Sequence, residues 1–165
     1  MQYGLVVPPG AGQSIWLGGF GVRFLLNGDH TDGRLSLVEH PLAPHALAAP
    51  MHTHTREDEF SFVLEGRVGM QLGDRVIVAE PGTFVMKPRA VPHTFWNAGA
   101  APARLLELIS PAGFERYFQE LEPLIAPPGP PDVEALAALW EKYGLRMELD
   151  SLPRLAEQHG VTLSG

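Results

Sequence analysis

The sequence predicts an all-β fold, an antiparallel barrel or jelly roll closed around one core and followed by a helical tail. Three observations predict it. From Ser14 to Ile109 short apolar runs alternate with turn residues at spacings of roughly 8–12 residues, the mark of hairpin-linked strands rather than of a helix-crossed parallel sheet. Beyond Gly113 the apolar period lengthens to that of a helix. And 165 residues, 45% hydrophobic and 19% charged, suit a single core of ordinary globular composition.

The elements follow in order. Ser14 to Leu17 and Val22 to Leu26 read as strands set between Gly18-Gly19 and Asn27-Gly28, with Trp16 and Phe24 as core or dimer-interface side chains. After a turn over Asn27 to Gly33, Leu35 to His40 is a strand, and Pro41 to Pro50 is an irregular approach to the next one. Met51 to His54 and Phe60 to Leu64 are extended pieces separated by the polar Thr55 to Asp58. Leu64 to Arg67 turns the chain, Val68 to Leu72 runs back, and Gly73-Asp74 makes a two-residue turn, with Gly leading, into Val76 to Ala79. Pro81-Gly82 signals a tight turn before the strand Thr83 to Met86, and Pro88 and Pro92 stiffen the loop that delivers His93 into Thr94 to Asn97. Asn97 to Gly99 turns again into Ala103 to Ile109, the last barrel strand.

In the tail, Phe114, Tyr117, Phe118 and Leu121 recur at helical spacing and predict a short amphipathic helix covering the barrel. Residues 126–131, Ala-Pro-Pro-Gly-Pro-Pro, read as a stiff extended linker. Asp132 can cap a helix from Val133 to Tyr143 that Gly144 ends, with Leu136, Leu139, Trp140 and Tyr143 on one stripe. Ser151 can cap a last helix running to His159 and closed by Gly160. The expected organisation is therefore a barrel with its N-terminal strands and one following helix over 1–125, and over 126–165 a linker and helices docked on the barrel or on a partner subunit. Homodimerisation is expected, since the Gly-rich N-terminal strands and the tail offer edges and apolar stripes for a second copy.

Charge and composition exclude several functions. A net charge of −7 without a Lys/Arg cluster argues against a general nucleic-acid binder. With no cysteine, neither a disulfide framework nor a thiolate nucleophile is possible, and a metal must take nitrogen and oxygen ligands. No basic segment followed by an apolar stretch opens the sequence, and no apolar run approaches spanning length, so no membrane partner and a cytoplasmic location are expected.

The chemistry concentrates in two stretches. His52 and His54 are two apart on an extended chain and project from one face. Glu59 lies an odd number of residues from both, so a straight strand would aim it away, and a bend through Thr55 to Asp58 is needed to return it. Glu57 and Asp58 are rival carboxylates. His93 supplies a third imidazole from the second stretch, and three imidazoles with one carboxylate suit one divalent ion of iron, nickel, manganese, copper or zinc. His30, His40, His45 and His159 read as surface or turn residues, although His40 falls on a predicted strand, and Asn97 reads as a turn residue. Phe62, Met70, Val85, Phe95, Trp96 and Leu106 are candidates for an apolar lining around the ion, which suits a planar or aromatic small-molecule substrate.

These two stretches resemble the paired motifs of the cupins. His-x-His, four residues, Glu, six residues and Gly fall on His52, His54, Glu59 and Gly66; Gly, five residues, Pro, then His and an Asn four later fall on Gly82, Pro88, His93 and Asn97. Ala46 stands where the first motif opens with Gly, and Ala90 where the second has an internal Gly. The segment Gly113 to Phe118 is similar to one that follows the barrel in single-domain cupins of the quercetin 2,3-dioxygenase type. The resemblance implies a double-stranded β-helix and a metal held by His52, His54, Glu59 and His93, with Glu59 favoured over Glu57. It also implies that Glu59 acts as the catalytic base in a dioxygenase acting on a small aromatic or enol substrate such as a flavonol. Because the same barrel hosts other chemistries, an oxygen-independent isomerase, lyase or decarboxylase and a non-catalytic small-ligand binder stand as alternatives.

Overall fold

The computed structural model describes residues 4–126 and 128–164; of the expected linker, Pro127 lies outside the described residues. Eleven strands form two antiparallel sheets. The strands are β1 (Ser14–Leu17), β2 (Phe20–Leu26), β3 (Ser36–Leu42), β4 (Met51–His54), β5 (Asp58–Glu65), β6 (Val68–Leu72), β7 (Arg75–Ala79), β8 (Phe84–Lys87), β9 (His93–Asn97), β10 (Ala103–Ser110) and β11 (Leu145–Glu148). One sheet runs β1-β2-β3-β10-β5-β8 and the other β11-β4-β9-β6-β7. Val38, Val63, Leu105 and Ile109 of the first sheet share a core with Val68, Met70 and Phe95 of the second. The fold is the jelly roll that the strand spacing predicts, with three helices, α1 (Glu115–Ile125), α2 (Val133–Tyr143) and α3 (Ser151–His159), after it. No helix among the described residues is long and apolar enough to cross a membrane.

Two turns show how local chemistry sets the strand ends. Gly73-Asp74 joins β6 to β7 with Leu72 opposite Arg75, and Gly73 takes the φ of +55° that such a turn requires. At Gly66 (φ +73°) a Cβ would lie 2.7 Å from Ala103, so only glycine fits the approach of β5's end to β10.

The parity problem of Glu59 is solved by a change of sheet, not by a bent strand. β4 belongs to the five-stranded sheet and β5 to the six-stranded one, and residues 55–57 carry the chain across. The tail holds this crossing in place: Thr55 donates to the Gly144 carbonyl from its backbone N–H (3.1 Å) and its hydroxyl (2.8 Å), and the Arg56 guanidinium donates to the Lys142 carbonyl at 2.8 Å.

The tail departs from expectation in two places. Leu145–Glu148, unassigned from sequence, forms β11 and extends the five-stranded sheet beside β4, with Met147 opposite His52 and Leu145 opposite His54. Four residues between two helices are too short for a periodicity signal, and the pairing is set by β4's open edge. Ser151 is not a cap: Asp150 precedes the helix, and the Ser151 hydroxyl accepts from the Met51 backbone N–H at 2.9 Å. The apolar stripe of α2, expected to dock on the barrel or on a partner subunit, buries Leu139 and Tyr143 in the main core. The Asp132 cap is as expected, accepting from Glu134 and Ala135 N–H, and Gly144 ends the helix at φ +65°. Trp16 is 55% exposed and is no core residue.

Glu115 ties α1 to the barrel. It is buried, and its two carboxylate oxygens accept from Gly28 N–H (2.9 Å) and Gly113 N–H (2.6 Å). Replacing Glu115 with Ala strands both donors, so urea unfolding should show a loss of about 3 kcal/mol with an unchanged m value; a loss within error would mean that these bonds do not hold the helix.

Candidate metal centre

His52, His54, Glu59 and His93, distant in sequence, converge. One potential ligand atom from each lies within 4.8 Å of all the others, and all four residues are buried. β4 contributes the first two imidazoles, β9 sets His93 opposite His52, and β5 brings the carboxylate from the facing sheet.

The rival side chains go elsewhere. Asp58 turns outward to a two-pronged contact with the Arg89 guanidinium (2.7 and 3.1 Å), which holds its carboxyl below the usual range. Glu57 is buried behind His54, its Oε2 at 3.4 Å from Nδ1. Asn97 staples loops: its amide donates to the carbonyls of Leu42, Ala43 and Ala101, and its Oδ1 accepts from Gly99 N–H. Ala90, where the second motif has glycine, takes φ +63° and donates to the His54 carbonyl at 2.8 Å. The left-handed turn that favours glycine is thus kept with alanine.

The donor set fits a divalent transition-metal ion. His52 Nδ1 lies 2.9 Å from the Pro50 carbonyl and His93 Nδ1 3.0 Å from that of Val91. A carbonyl only accepts, so each ring carries its proton on Nδ1 and turns a bare Nε2 inward. His93 Nε2 then faces Glu59 Oε2 at 3.1 Å, lone pair against carboxylate, and neither nitrogen of His54 has a hydrogen-bond partner among the described residues. A cation among these atoms turns repulsive and unpaired contacts into ligand bonds. Burial pushes the His52 and His93 imidazoles below their ordinary range, with His93 and His54 adding to the effect at His52, so both rings stay neutral and available as ligands.

Sequence reasoning missed the group behind the cluster. Lys87, fully buried, places its ammonium 2.9 Å from Glu59 Oε2 and 2.8 Å from Glu107 Oε2, and Ser61 donates to the same Glu107 oxygen at 2.9 Å. Burial alone would raise Glu59, but the Lys87 ammonium, with His54 and His93, holds it well below the carboxylate range. Burial pushes Glu107 up to about 7. The available signal was parity: Lys87 and Glu107 sit at inward positions of β8 and β10, yet charged residues in short strands read as solvent-facing.

The cluster sits in the wall of a cavity of about 560 Å³. Phe20 and Phe95 of the barrel, Phe114, Tyr117 and Phe118 at α1, Trp140 of α2 and Met147 of β11 line it, and no arginine or lysine does among the described residues. His40, read from sequence as a surface or turn residue, is buried in this wall, because its strand turns it inward with Val38 and Leu42. Of the side chains expected to line the ion's surroundings, Phe95 does so. Phe62 and Leu106 instead face a shallow apolar groove on the outer side of the six-stranded sheet, Met70 is core, and Trp96 stacks on His159 (centroids 4.2 Å apart) in a second cluster.

Residues 39–109 match the Cupin domain family. Over that stretch, less than half of its length, the chain is similar to the cupin domain. Solved structures agree in fold: this chain overlays KdgF from Halomonas sp. at TM-score 0.60 and 16% identity, over 69% of this chain and 99% of that one. It overlays a sugar phosphate isomerase from Silicibacter pomeroyi at 0.55 and 22%, over 64% and 75%, and a predicted oxalate decarboxylase from Thermotoga maritima at 0.61 and 16%, over 64% and 98%. Comparison with curated proteins finds no match.

Metal content of purified protein separates the histidines: His93→Ala should lose most bound metal, and His159→Ala should retain it. Protons compete for an imidazole only below its pKa, and burial depresses those of His52 and His93, so occupancy should hold through the ordinary imidazole range of about 6.5 and be lost at lower pH. Equal metal content in the two variants, or full occupancy at pH 4, would contradict a three-histidine site.

Proposed function

We propose that this cupin is a metal-dependent dioxygenase acting on a small aromatic or enol-type substrate, with His52, His54, Glu59 and His93 holding one divalent ion of iron, nickel, manganese, copper or zinc. The observation that carries the reading is the largely apolar, aromatic cavity that His52, His54 and Glu59 of the cluster line, with no arginine or lysine in its lining among the described residues. Sugar phosphates and small carboxylic acids carry more charge than one metal ion matches, and the lining adds no guanidinium or ammonium to hold them. When bound, the ion supplies a Lewis-acidic, redox-capable position for the substrate oxygen and for dioxygen.

The chain's own residues do the rest. Phe95, Phe114 and Trp140 bind the ring and exclude water. Lys87 fixes Glu59 Oε2, leaving Oε1, at 3.4 Å from His54 Nε2, as the oxygen that takes the substrate proton. A carboxylate held so far below its usual range is a weak base, suited to an acidic enol or phenol O–H and poorly suited to a C–H bond. That balance favours oxidation of an enol over the carbon-acid chemistry of an isomerase or lyase.

Protein loaded in turn with Fe(II), Ni(II), Mn(II) and Cu(II) should consume oxygen when given flavonols such as quercetin. Turnover of any such compound under strict anaerobiosis would support the isomerase or lyase alternative, and tight binding without turnover across all four metals would leave a ligand-binding module.

The reading includes residues 1–125 as the catalytic barrel unit, 126–165 as the appendage that completes the cavity, and a homodimer. Phe60, Phe62, Phe84, Leu106 and Leu108 form an apolar outer face on the six-stranded sheet, with Phe84 61% exposed. Light scattering should give a dimer mass for the wild type and a monomer mass for Phe84→Lys; a wild-type monomer at micromolar concentration would rule the dimer out.

A further inference from the structure

The inner face of the six-stranded sheet carries a row of polar side chains across neighbouring strands. His40 of β3, Glu107 of β10, Ser61 and Glu59 of β5 and Lys87 of β8 lie side by side, since Leu105 pairs with His40, Glu107 with Ser61, and Glu59 with Lys87. The Lys87 ammonium is taken up by the two carboxylates and by the Phe95 ring, 4.8 Å away. Ser61 is spent on Glu107. Beyond the candidate ligands, Glu107 Oε1 is without a hydrogen-bond partner among the described residues, and His40 is held through its Nδ1.

His40 is held as an acceptor by its surroundings. Its Nδ1 lies 3.0 Å from the Gly21 carbonyl, which can only accept, so the ring proton is on Nδ1 and Nε2 is a bare lone pair. Phe20 (4.6 Å), Phe118 (5.4 Å) and Phe95 (5.8 Å) pack around the ring and fix its plane. Burial pushes its pKa down to about 4, with the Lys87 charge acting in the same direction and Glu59 and Glu39 against it, so the imidazole is neutral at physiological pH. His40 and Glu107 both line the cavity.

We propose that His40 contacts the substrate, its Nε2 accepting a hydrogen bond from a hydroxyl of an uncharged aromatic ligand. A lining that offers an imidazole acceptor among aromatic rings, and no arginine or lysine among the described residues, favours a hydroxyl donor on an aromatic ligand over a phosphorylated or acidic sugar. The inference rests on the cavity as the substrate site and not on oxygen chemistry.

Calorimetric titration of metal-free protein tests it without turnover, using quercetin, its pentamethyl ether and glucose 6-phosphate as probes. Quercetin should bind roughly tenfold or more tighter than the ether, which keeps the ring system but donates no hydrogen bond, and the sugar phosphate should not bind. His40→Phe, which suits the surrounding phenylalanines, should weaken quercetin roughly tenfold and leave the ether unchanged. Equal losses for both ligands, or none for quercetin, would overturn the role of His40. The wild-type comparison decides independently of that variant's folding: equal affinity for quercetin and its ether, or preference for glucose 6-phosphate, overturns the ligand class. Binding that follows the expected pattern in a protein that never consumes oxygen would remove the dioxygenase reading and leave this one standing.

Discussion

A lysine ammonium shut away from water, between two carboxylates, is the interaction on which the site depends. Moving an ion of this size out of water costs several kcal/mol even after relaxation, and only close, well-directed partners offset it. Lys87 has them: Glu59 and Glu107 within 2.9 Å on either side and an aromatic face beyond. The same contact orients Glu59, whose Oε2 meets the ammonium and faces His93 Nε2 while Oε1 lies by His54 Nε2. Removing either carboxylate would take away one of the two oxygens that replace water around the ammonium, a loss that burial makes costly.

That constraint explains which parts of the site were legible from the sequence. His52 and His54 announce themselves because strand parity forces neighbours two apart to one face, and His93 follows from a proline-braced loop. Glu59 was legible only as a spacing, since its route to the cluster is a change of sheet between His54 and Asp58 that parity along one strand does not express. Lys87 and Glu107 carried parity alone, which does not say that a charged side chain turns inward. Each is defined by a partner on another strand, Lys87 opposite Glu59 and Glu107 opposite Ser61, and strand pairing is not written in either local stretch. His40 was hidden for the same reason: its setting comes from Gly21, Phe20, Phe95 and Phe118, three of them from other strands and one from a helix.

The tail shows a similar division. Asp132 and Gly144 mark the ends of α2 by local chemistry and were readable. The pairing of β11 with β4 was not, although it has the larger consequence, because it sets Met147 and Leu145 opposite the two histidines of the site. An edge that would otherwise be open is closed by the chain's own C-terminal strand. Ser151 anchors the following helix to Met51, at the start of the same strand.

The added segment also changes what the barrel can accept. Two sheets facing each other leave a mouth above the His/Glu cluster, and α1, α2 and β11 build it up with Tyr117, Phe118, Trp140 and Met147. Depth gained this way is apolar depth, because helices packed on a barrel present the faces that bury best. Polar groups in the lining are then the few already present on the inner faces of the sheets, His40 and Glu107 among them. The appended residues, more than the barrel, supply the aromatic surface of the cavity.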